Sequence, residues 1–274
     1  VVAINKMDLV DYDRDIYDRI REEYQTFAAR LSIPDVRFVP LSALRGDNIV
    51  DRSDAMPWYD GPAVLELLET VDVASSTAED DFRFPIQFVS RPSRDFRGFA
   101  GSVVSGSVRP GDRVKSLPSL KETTVRRIVT ADGDLPEAFA PQAVMLELED
   151  EIDSSSGDMI VHADNLPTVG THFEAMLLWM SETPMQKRGN YVIRHAGRTT
   201  KAHVRSLLYA VDVNSLEKRD ADELGLNEFG RVALTTHLPL FYDPYEKNRE
   251  TGGCILIDPV SNNTVGAVMI IPGL

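Results

Sequence analysis

The sequence predicts a protein of mixed class, in which an α/β segment is followed by two all-β barrels. Up to residue 72, continuously apolar runs typical of buried parallel strands alternate with runs of helical periodicity. From residue 82 onward, short apolar or alternating runs are separated by Gly, Pro and Asp turn residues. The length of 274 residues, with 43% hydrophobic and 26% charged residues, is sufficient for two or three globular cores. We therefore predict domains at 1–72, 82–165 and 168–274.

The α/β segment is predicted to run strand, helix, strand, loop, helix. Val1–Ile4 and Val36–Pro40 are the strands, Asp13–Leu31 is a helix that Pro34 ends, and Ala63–Val71 is a short second helix. The first helix carries an apolar stripe at intervals of three and four residues: Ile16, Ile20, Tyr24, Phe27 and Leu31. This order of elements is that of the closing half of an α/β nucleotide-binding domain.

The β region begins after a predicted linker at Val73–Asp81, which is rich in Ala, Ser, Thr and acidic residues. A first group of predicted strands lies in the runs FRFPIQFVSRP, GFAGSVVSGSV, DRVKSL, TVRRIV, AVMLELE and DMIVHAD. After the junction NLPTVG, a second group lies in HFEAMLLWM, NYVIRHA, KAHVRSLLYAVDV, GRVALTTHLPL and GCILIDP. Short strands at this spacing predict closed barrels.

Charge and cysteine content restrict the function. The formal net charge is −14, and an acidic chain is at a disadvantage in binding phosphate backbones, which draws on Lys and Arg. The single cysteine, Cys254, excludes an internal disulfide and a Cys-based zinc cluster, and we expect a buried apolar thiol.

We expect a cytoplasmic protein, since no apolar run approaches the roughly 18 residues of a membrane span and no secretion leader is evident. Because residue 1 is Val, we also expect a fragment that lacks its true start.

The most informative motif is Asn5-Lys6-Met7-Asp8, at the carboxyl end of the first strand, where parallel sheets place ligands. The Asp8 carboxylate can accept both the ring N–H and the exocyclic amine of guanine, a pairing that adenine cannot satisfy. The Asn5 amide can bond the other base edge and tie neighbouring loops together, and the Lys6 stem can cover the purine face. The alternative is that Asn5 and Asp8 only cap the following helix.

A second motif, Ser42-Ala43-Leu44, follows the second strand. The backbone N–H of Ala43 would be offered to the guanine oxygen. The combined pattern is a strand with Asn-Lys-x-Asp, then a helix, then a strand with Ser-Ala. It is far more restrictive than Asn-Lys-x-Asp alone. Together the two motifs predict recognition of guanine.

The phosphate half of a GTPase site is not found in the sequence. No Gly-Lys pair occurs, so a G-x-x-x-x-G-K-[ST] loop is excluded. Two Asp-x-x-Gly matches, Asp95–Gly98 and Asp222–Gly225, lie beyond the α/β segment and are interpreted as turns. We expect neither tight GTP binding nor hydrolysis by this chain alone, with catalytic residues upstream and no metal ligands here.

A GTPase domain followed by two barrels resembles the architecture of elongation factor Tu, and GFAGSVVSGSVRPGDRV is similar to the second domain of that superfamily. Further segments resemble one branch, the GTPase subunit of bacterial heterodimeric ATP sulfurylase (sulfate adenylyltransferase). These are MPWYDGPAVLELLE, FRFPIQFVSRP, LEDEIDSSSGDMIV, YAVDVNSLE and FYDPYEKNRETGGCILIDPVSNNTVGAVMI. The resemblance spans the chain, with departures from the family pattern at Ser156, Cys254 and Val268.

The resemblance implies a subunit that couples GTP hydrolysis to synthesis of adenylyl sulfate from ATP and sulfate in sulfate assimilation. Adenylyl transfer would take place on a separate small catalytic subunit, the heterodimer partner, and the barrels would move as the nucleotide changes. GTP would be the cofactor, with Mg²⁺ in the complete protein. The residues facing guanine would be Asn5, Lys6, Asp8, Ser42, Ala43 and Leu44.

Two other functions stay open at the level of sequence. One is a translation-factor-like GTPase that binds RNA, which the acidic balance disfavours. The other is a β-barrel binding module whose partner affinity is independent of guanine nucleotide.

Four remaining features favour structural roles. The acidic run Glu147–Asp153 could attract a metal but is interpreted as the solvated face of a strand and turn. Trp58-Tyr59 is interpreted as packing, and Asn248–Gly253 (NRETGG) as an interface hairpin or a plain turn. Ordinary structural histidines are expected at positions 162, 172, 195, 203 and 237.

Overall fold

A computed structural model of the chain describes residues 1–29, 35–71, 81–93, 96–213 and 215–272. The chain divides into two compact units, Val1–Ser75 and Ser76–Leu274. The predicted helix stop at Pro34 and nearly all of the predicted linker lie outside the described residues. Every helix in the described ranges is too short or too polar to cross a bilayer.

The first unit has the predicted order of strands and helices. Its elements are β1 (Val2–Ile4), a 3₁₀ helix (Met7–Val10), α1 (Arg14–Ala29), β2 (Phe38–Pro40) and α2 (Val64–Thr70). β1 and β2 are parallel, with Val2 opposite Phe38 and Ile4 opposite Pro40. The 3₁₀ helix is the element that the sequence did not predict, because four residues are too few for a periodic signal.

An aromatic cluster forms one core of this unit. Ile4, Met7 and Tyr17 are buried together with Met56, and Trp58 and Tyr59 pack against them. The Tyr17 ring lies 5.2 Å from Trp58, centroid to centroid. The interpretation of Trp58-Tyr59 as packing residues is therefore confirmed.

The second unit begins with a closed barrel. Its strands are β3 (Arg83–Ser93), β4 (Phe96–Ser102), β5 (Ser107–Val108), β6 (Arg113–Leu117), β7 (Lys121–Thr130), β8 (Gly133–Leu135), β9 (Ala138–Phe139), β10 (Ala143–Leu148) and β11 (Met159–His162). Six of them close a ring in the order β10-β4-β3-β11-β6-β7, because β7 pairs again with β10. Closure pairs every edge of the ring, as predicted for a barrel.

A second barrel completes this unit. Its elements are β12 (Thr168–Trp179), β13 (Asn190–His195), β14 (Arg198–Val211), β15 (Lys218–Arg219), β16 (Phe229–Tyr242), α3 (Arg249–Gly252), β17 (Gly253–Ile257) and β18 (Thr264–Ile270). The ring runs β13-β17-β18-β12-β16-β14 and closes through the pairing of β13 with β14. Alternation of buried residues along β12 and β16 fills the interior.

The two barrels share a small core. Leu117, Met159 and Val161 of the first barrel pack with Phe241 of the second. The segment Asn248–Gly253 lies at this contact, because the Asn248 amide donates to the Ser105 hydroxyl of the first barrel at 2.8 Å. That segment is therefore the whole of α3 with its two capping residues, and part of the contact between the barrels, rather than a hairpin.

The interpretation of Glu147–Asp153 as a solvated face is wrong for its first residue. Glu147 is only 5% exposed, and its carboxylate lies 3.3 Å from both Arg126 and Arg127. Ile152 is buried as well. Opposite charge makes burial of this carboxylate tolerable, which a pattern of alternating acids does not reveal. In the described ranges, no group of three or more His, Cys, Asp or Glu side chains could hold a metal ion.

Candidate functional site

The two motifs that predicted guanine recognition meet at the carboxyl ends of β1 and β2. Parallel pairing continues one step past the strands, since the Leu41 N–H donates to the Ile4 carbonyl at 2.9 Å. The Met7 N–H then donates to the Leu41 carbonyl at 3.1 Å. These two bonds bring the loop after β1 against the turn after β2, so that Asp8 and Ser42 become neighbours.

Asp8 and Ser42 are in direct contact. The Ser42 hydroxyl donates to Asp8 Oδ1 at 2.6 Å, and the Arg45 N–H donates to the same hydroxyl oxygen at 3.2 Å. Ser42 is fully buried and Asp8 is half-buried. In the described part of the chain no donor reaches Asp8 Oδ2. The carboxylate therefore keeps acceptor capacity on both oxygens for a paired donor such as guanine presents.

Asn5 joins the same two loops. Its Oδ1 accepts from the Lys6 N–H at 2.7 Å and from the Ala43 N–H at 3.0 Å. Tying the loops together is one of the roles expected for Asn5. Ala43, however, was expected to offer its N–H to a guanine oxygen, and here that N–H is given to Asn5. A base oxygen at this position would have to share or replace the Asn5 acceptor.

The remaining predicted residues lie at the exposed rim of this site. Lys6 is exposed, with a left-handed backbone (φ 68°), and Leu44 is 84% exposed. Neither side chain is engaged by the described residues, so both are free to cover the face of a planar ligand. The structure thus brings Asn5, Asp8, Ser42 and Ala43 together by hydrogen bonds, with Lys6 and Leu44 as their direct chain neighbours.

The capping alternative for Asn5 and Asp8 does not hold. The 3₁₀ helix has Lys6 at its N-cap and no side-chain cap. The longer helix α1 is capped by Asp13, whose Oδ1 accepts from the Asp15 N–H at 2.7 Å and the Ile16 N–H at 3.4 Å. Asn5 and Asp8 instead bond across to the turn after β2.

Sequence reasoning missed a second connection between these loops. The Tyr12 hydroxyl donates to Asp47 Oδ2 at 2.7 Å, and the Ser53 hydroxyl donates to Asp47 Oδ1 at 2.6 Å. These bonds, Ser53 first and then Tyr12, lower the pKa of Asp47, whereas the bond to Asp47 raises the pKa of Tyr12. Tyr12 and Asp47 are 35 residues apart, and no local pattern marks them as partners.

The two Asp-x-x-Gly matches lie in the second unit. Gly98 is within β4, and Asp95 lies outside the described residues. Asp222 is in the loop before β16, where it forms an ion pair with Lys187. The interpretation of this second match as part of a turn region agrees with its place between strands.

Comparison with known proteins identifies similar chains over nearly the whole length. The family model described as "GTP-eEF1A C-terminal domain-like" matches residues 172–271. Sulfate adenylyltransferase subunit 1 of Alteromonas mediterranea is 51% identical over 99% of this chain and 58% of its own length. The subunit 1 protein of Bacteroides fragilis is 52% identical over 99% of this chain and 57% of its own length. The chain thus spans somewhat more than half the length of these curated relatives.

Two further matches extend this picture. The bifunctional enzyme CysN/CysC of Rhodopirellula baltica is 50% identical over 99% of this chain and 42% of its own length. Among solved structures, sup35 complexed with GDP superimposes with a TM-score of 0.67 at 22% identity, covering 100% of this chain and 69% of that one. At that identity the likeness shows the fold alone, an α/β unit followed by two β-barrels.

Proposed function

We propose, from the homology of this chain to sulfate adenylyltransferase subunit 1 over 99% of its length, that it acts as a GTPase subunit of sulfate adenylyltransferase. In this role GTP hydrolysis is coupled to the synthesis of adenylyl sulfate from ATP and sulfate. The coupling has a thermodynamic reason. Formation of a sulfate–phosphate anhydride has an unfavourable free energy, so a second nucleotide must help drive the reaction. The partner is a small catalytic subunit, on which the adenylyl transfer takes place.

One observation carries the guanine half of this proposal, namely the contact of Asp8 with Ser42 at the ends of two parallel strands. A carboxylate held at one oxygen by a buried hydroxyl keeps a fixed direction, so its free lone pairs can meet two adjacent N–H donors of a purine. Guanine presents two such donors on one edge. Adenine presents an unprotonated ring nitrogen there, which would face the carboxylate lone pairs unfavourably.

The residues that we assign to guanine are Asn5, Lys6, Asp8, Ser42, Ala43 and Leu44. Asp8 reads the base edge, Asn5 and Ser42 hold the two loops in place, and Ala43 borders the base oxygen. Lys6 and Leu44 cover the purine faces. Mg²⁺ would accompany GTP in the complete protein, but the described residues contain no group of three or more His, Cys, Asp or Glu side chains that could hold it, so we assign it no step on this chain.

Domains are proposed at 1–72, 82–165 and 168–274, with the last two acting together on the partner. We also propose a reducing, cytoplasmic setting, in which the single free thiol of Cys254 needs no oxidised partner.

The decisive experiment measures GTP turnover by the intact gene product with and without its small subunit, ATP and sulfate. We expect turnover to rise only when all three are present, and to fall when Asp8 is replaced. A rise with aminoacylated RNA and ribosomes instead would favour a translation factor. Partner binding that is indifferent to guanine nucleotide would contradict both assignments.

A further inference from the structure

The loop that contains Asp8 has an unusual backbone. Lys6, Asp11 and Tyr12 have φ values of 68°, 49° and 57°, in the left-handed region that residues with a side chain rarely occupy. Such conformations persist only where the surrounding structure over-determines them, and they concentrate at functional sites. Two of the three flank the short helix that presents Asp8.

Tyr12 is fixed by three contacts. Its N–H donates to the Met7 carbonyl at 2.9 Å, and its carbonyl accepts from the Trp58 indole at 3.0 Å. Its hydroxyl donates to Asp47. The bond to Met7 holds the Asp8 loop closed on itself, the Trp58 indole joins it to the segment before α2, and the hydroxyl joins it to Asp47 after β2.

Asp47 is also held in place by hydrogen bonds, within the turn that follows β2. Its carbonyl accepts from the Ser42 N–H at 3.2 Å, which closes the Ser42-Ala43-Leu44 turn. Its carboxylate also accepts from Ser53. The next residue, Asn48, is 1% exposed and donates to the Pro40 carbonyl at 2.9 Å, so Asp47 is anchored to the end of β2.

We propose that Tyr12 and Asp47 are positioning residues for guanine recognition, because their hydrogen bond keeps the Asp8 loop in register with the Ser42 turn. This inference rests on the proposed function of the site. Apart from the backbone bonds of Leu41 and Met7, the direct contacts between the loops use Ala43 N–H and the Asp8 carboxylate, which are groups that the base would also use. The Tyr12–Asp47 bond uses no group assigned to the base. It therefore persists when the direct contacts are exchanged for contacts with the nucleotide.

Tyr12→Phe tests the inference most cleanly, because it removes the hydroxyl and keeps the ring. Asp47→Asn is a second variant, which replaces one of the two acceptor oxygens with a donor. Tyr24→Phe is the matched control: the Tyr24 ring packs near Phe38 on the same unit, and its hydroxyl has no hydrogen-bond partner in the described ranges. GDP and ADP affinities of the intact gene product are measured by calorimetry, together with the thermal unfolding midpoint.

For Tyr12→Phe and Asp47→Asn we expect GDP affinity to fall about tenfold, the scale of a hydrogen bond to a charged group, with little change for ADP. The preference for guanine over adenine would shrink, and Tyr24→Phe would leave it unchanged. If both variants keep the wild-type preference for GDP over ADP, the positioning role is overturned but the proposed function still stands. An equal fall for GDP and ADP, with a lowered unfolding midpoint, would show a merely structural bond and also overturn it. A wild-type protein that binds GDP and ADP with equal affinity would contradict the proposed function itself.

Discussion

Arg83 of the first barrel and Asp243 of the second form a buried, two-pronged ion pair. Arg83 Nε and Nη2 donate to the two Asp243 oxygens at 2.9 and 3.0 Å, and the two side chains are only 1% and 6% exposed. Arg83 Nη1 donates to the carbonyls of Phe82 and Asn165, and Nη2 also donates to the side-chain oxygen of Asn165. Every donor of the arginine is thus matched, and the two bonds to Asp243 join the first barrel to the second.

Removing one partner of this pair should lower the free energy of unfolding much more than replacing both partners. Arg83→Met leaves the Asp243 carboxylate buried without its cation, and we expect a loss of about 3–5 kcal/mol in the free energy of unfolding. The double variant Arg83→Met/Asp243→Leu should recover a large part of that loss. Urea unfolding of the chain measures both.

Arg91 and Glu151 provide the control, since their side chains are 49% and 74% exposed and their bond length is also 2.9 Å. Arg91→Met should cost under about 1 kcal/mol. Similar losses for Arg83→Met and Arg91→Met would refute a special role for the buried pair.

The thiol of Cys254 should be inert in the folded protein. Cys254 is 8% exposed in the core of the second barrel, and burial raises its pKa to about 12. Because the thiolate is the reactive form, a disulfide reagent at pH 8 should label the native chain far more slowly than the chain in urea. The chain has one cysteine, so the released chromophore reports this residue alone. Labelling at the same rate with and without urea would show that the thiol is accessible.

His195 should make the stability of the second barrel depend on pH. Its ring is 2% exposed, and Nε2 donates to the Thr251 carbonyl at 2.6 Å. Burial, and then the charge of Arg198, lower its pKa below the ordinary value of 6.5. The unfolded chain therefore binds a proton in a pH range where the folded chain does not. Stability from this source is complete above about pH 6.5 and is lost as the pH falls towards the folded pKa.

We expect this histidine to contribute at most about 1.4 kcal/mol per pH unit to that loss. His195→Gln keeps an N–H donor for the Thr251 carbonyl and removes the titration, so its unfolding free energy should fall less between pH 7 and pH 5.5. His237→Gln, at an exposed position, should retain the wild-type slope. A slope for His195→Gln equal to that of wild type would assign the acid sensitivity to other groups.

Local patterns predicted the elements of this protein better than its connections. The short runs of the barrels predicted strands because burial imposes a period on the sequence. Helical spacing predicted α1 as well, but its buried residues are Tyr17 and Ala28, whereas Ile20 and Tyr24 of the predicted stripe are exposed. Asn5, Asp8 and Ser42 could be predicted to meet because consecutive parallel strands end at one edge.

Partners far apart in the chain could not be predicted in the same way. Arg83 and Asp243 are separated by 160 residues, and Tyr12 and Asp47 by 35. Nothing in the sequence around either pair shows that a charged side chain will be buried. Glu147 is the clearest example, since only the fold reveals the two arginines that compensate it.

Asp8→Asn should change which purine the site prefers. A carboxylate accepts from both the ring N–H and the amine of guanine, whereas a carboxamide offers one acceptor and one donor. Xanthine has a carbonyl oxygen in place of that amine, so it matches the carboxamide and repels the carboxylate. We therefore expect guanosine diphosphate to bind about ten- to a hundredfold more weakly to the variant, and xanthosine diphosphate to bind more tightly than to wild type.

Competition binding with the two diphosphates, on the intact gene product, measures this exchange. Asp18→Asn is the control, because Asp18 lies on α1 and pairs with Arg14 at the surface. An exchange of preference in Asp8→Asn alone cannot arise from general loss of stability, since stability loss weakens both ligands together. If xanthosine diphosphate gains nothing while guanosine diphosphate is lost, Asp8 supports the fold of the loop without reading the base edge.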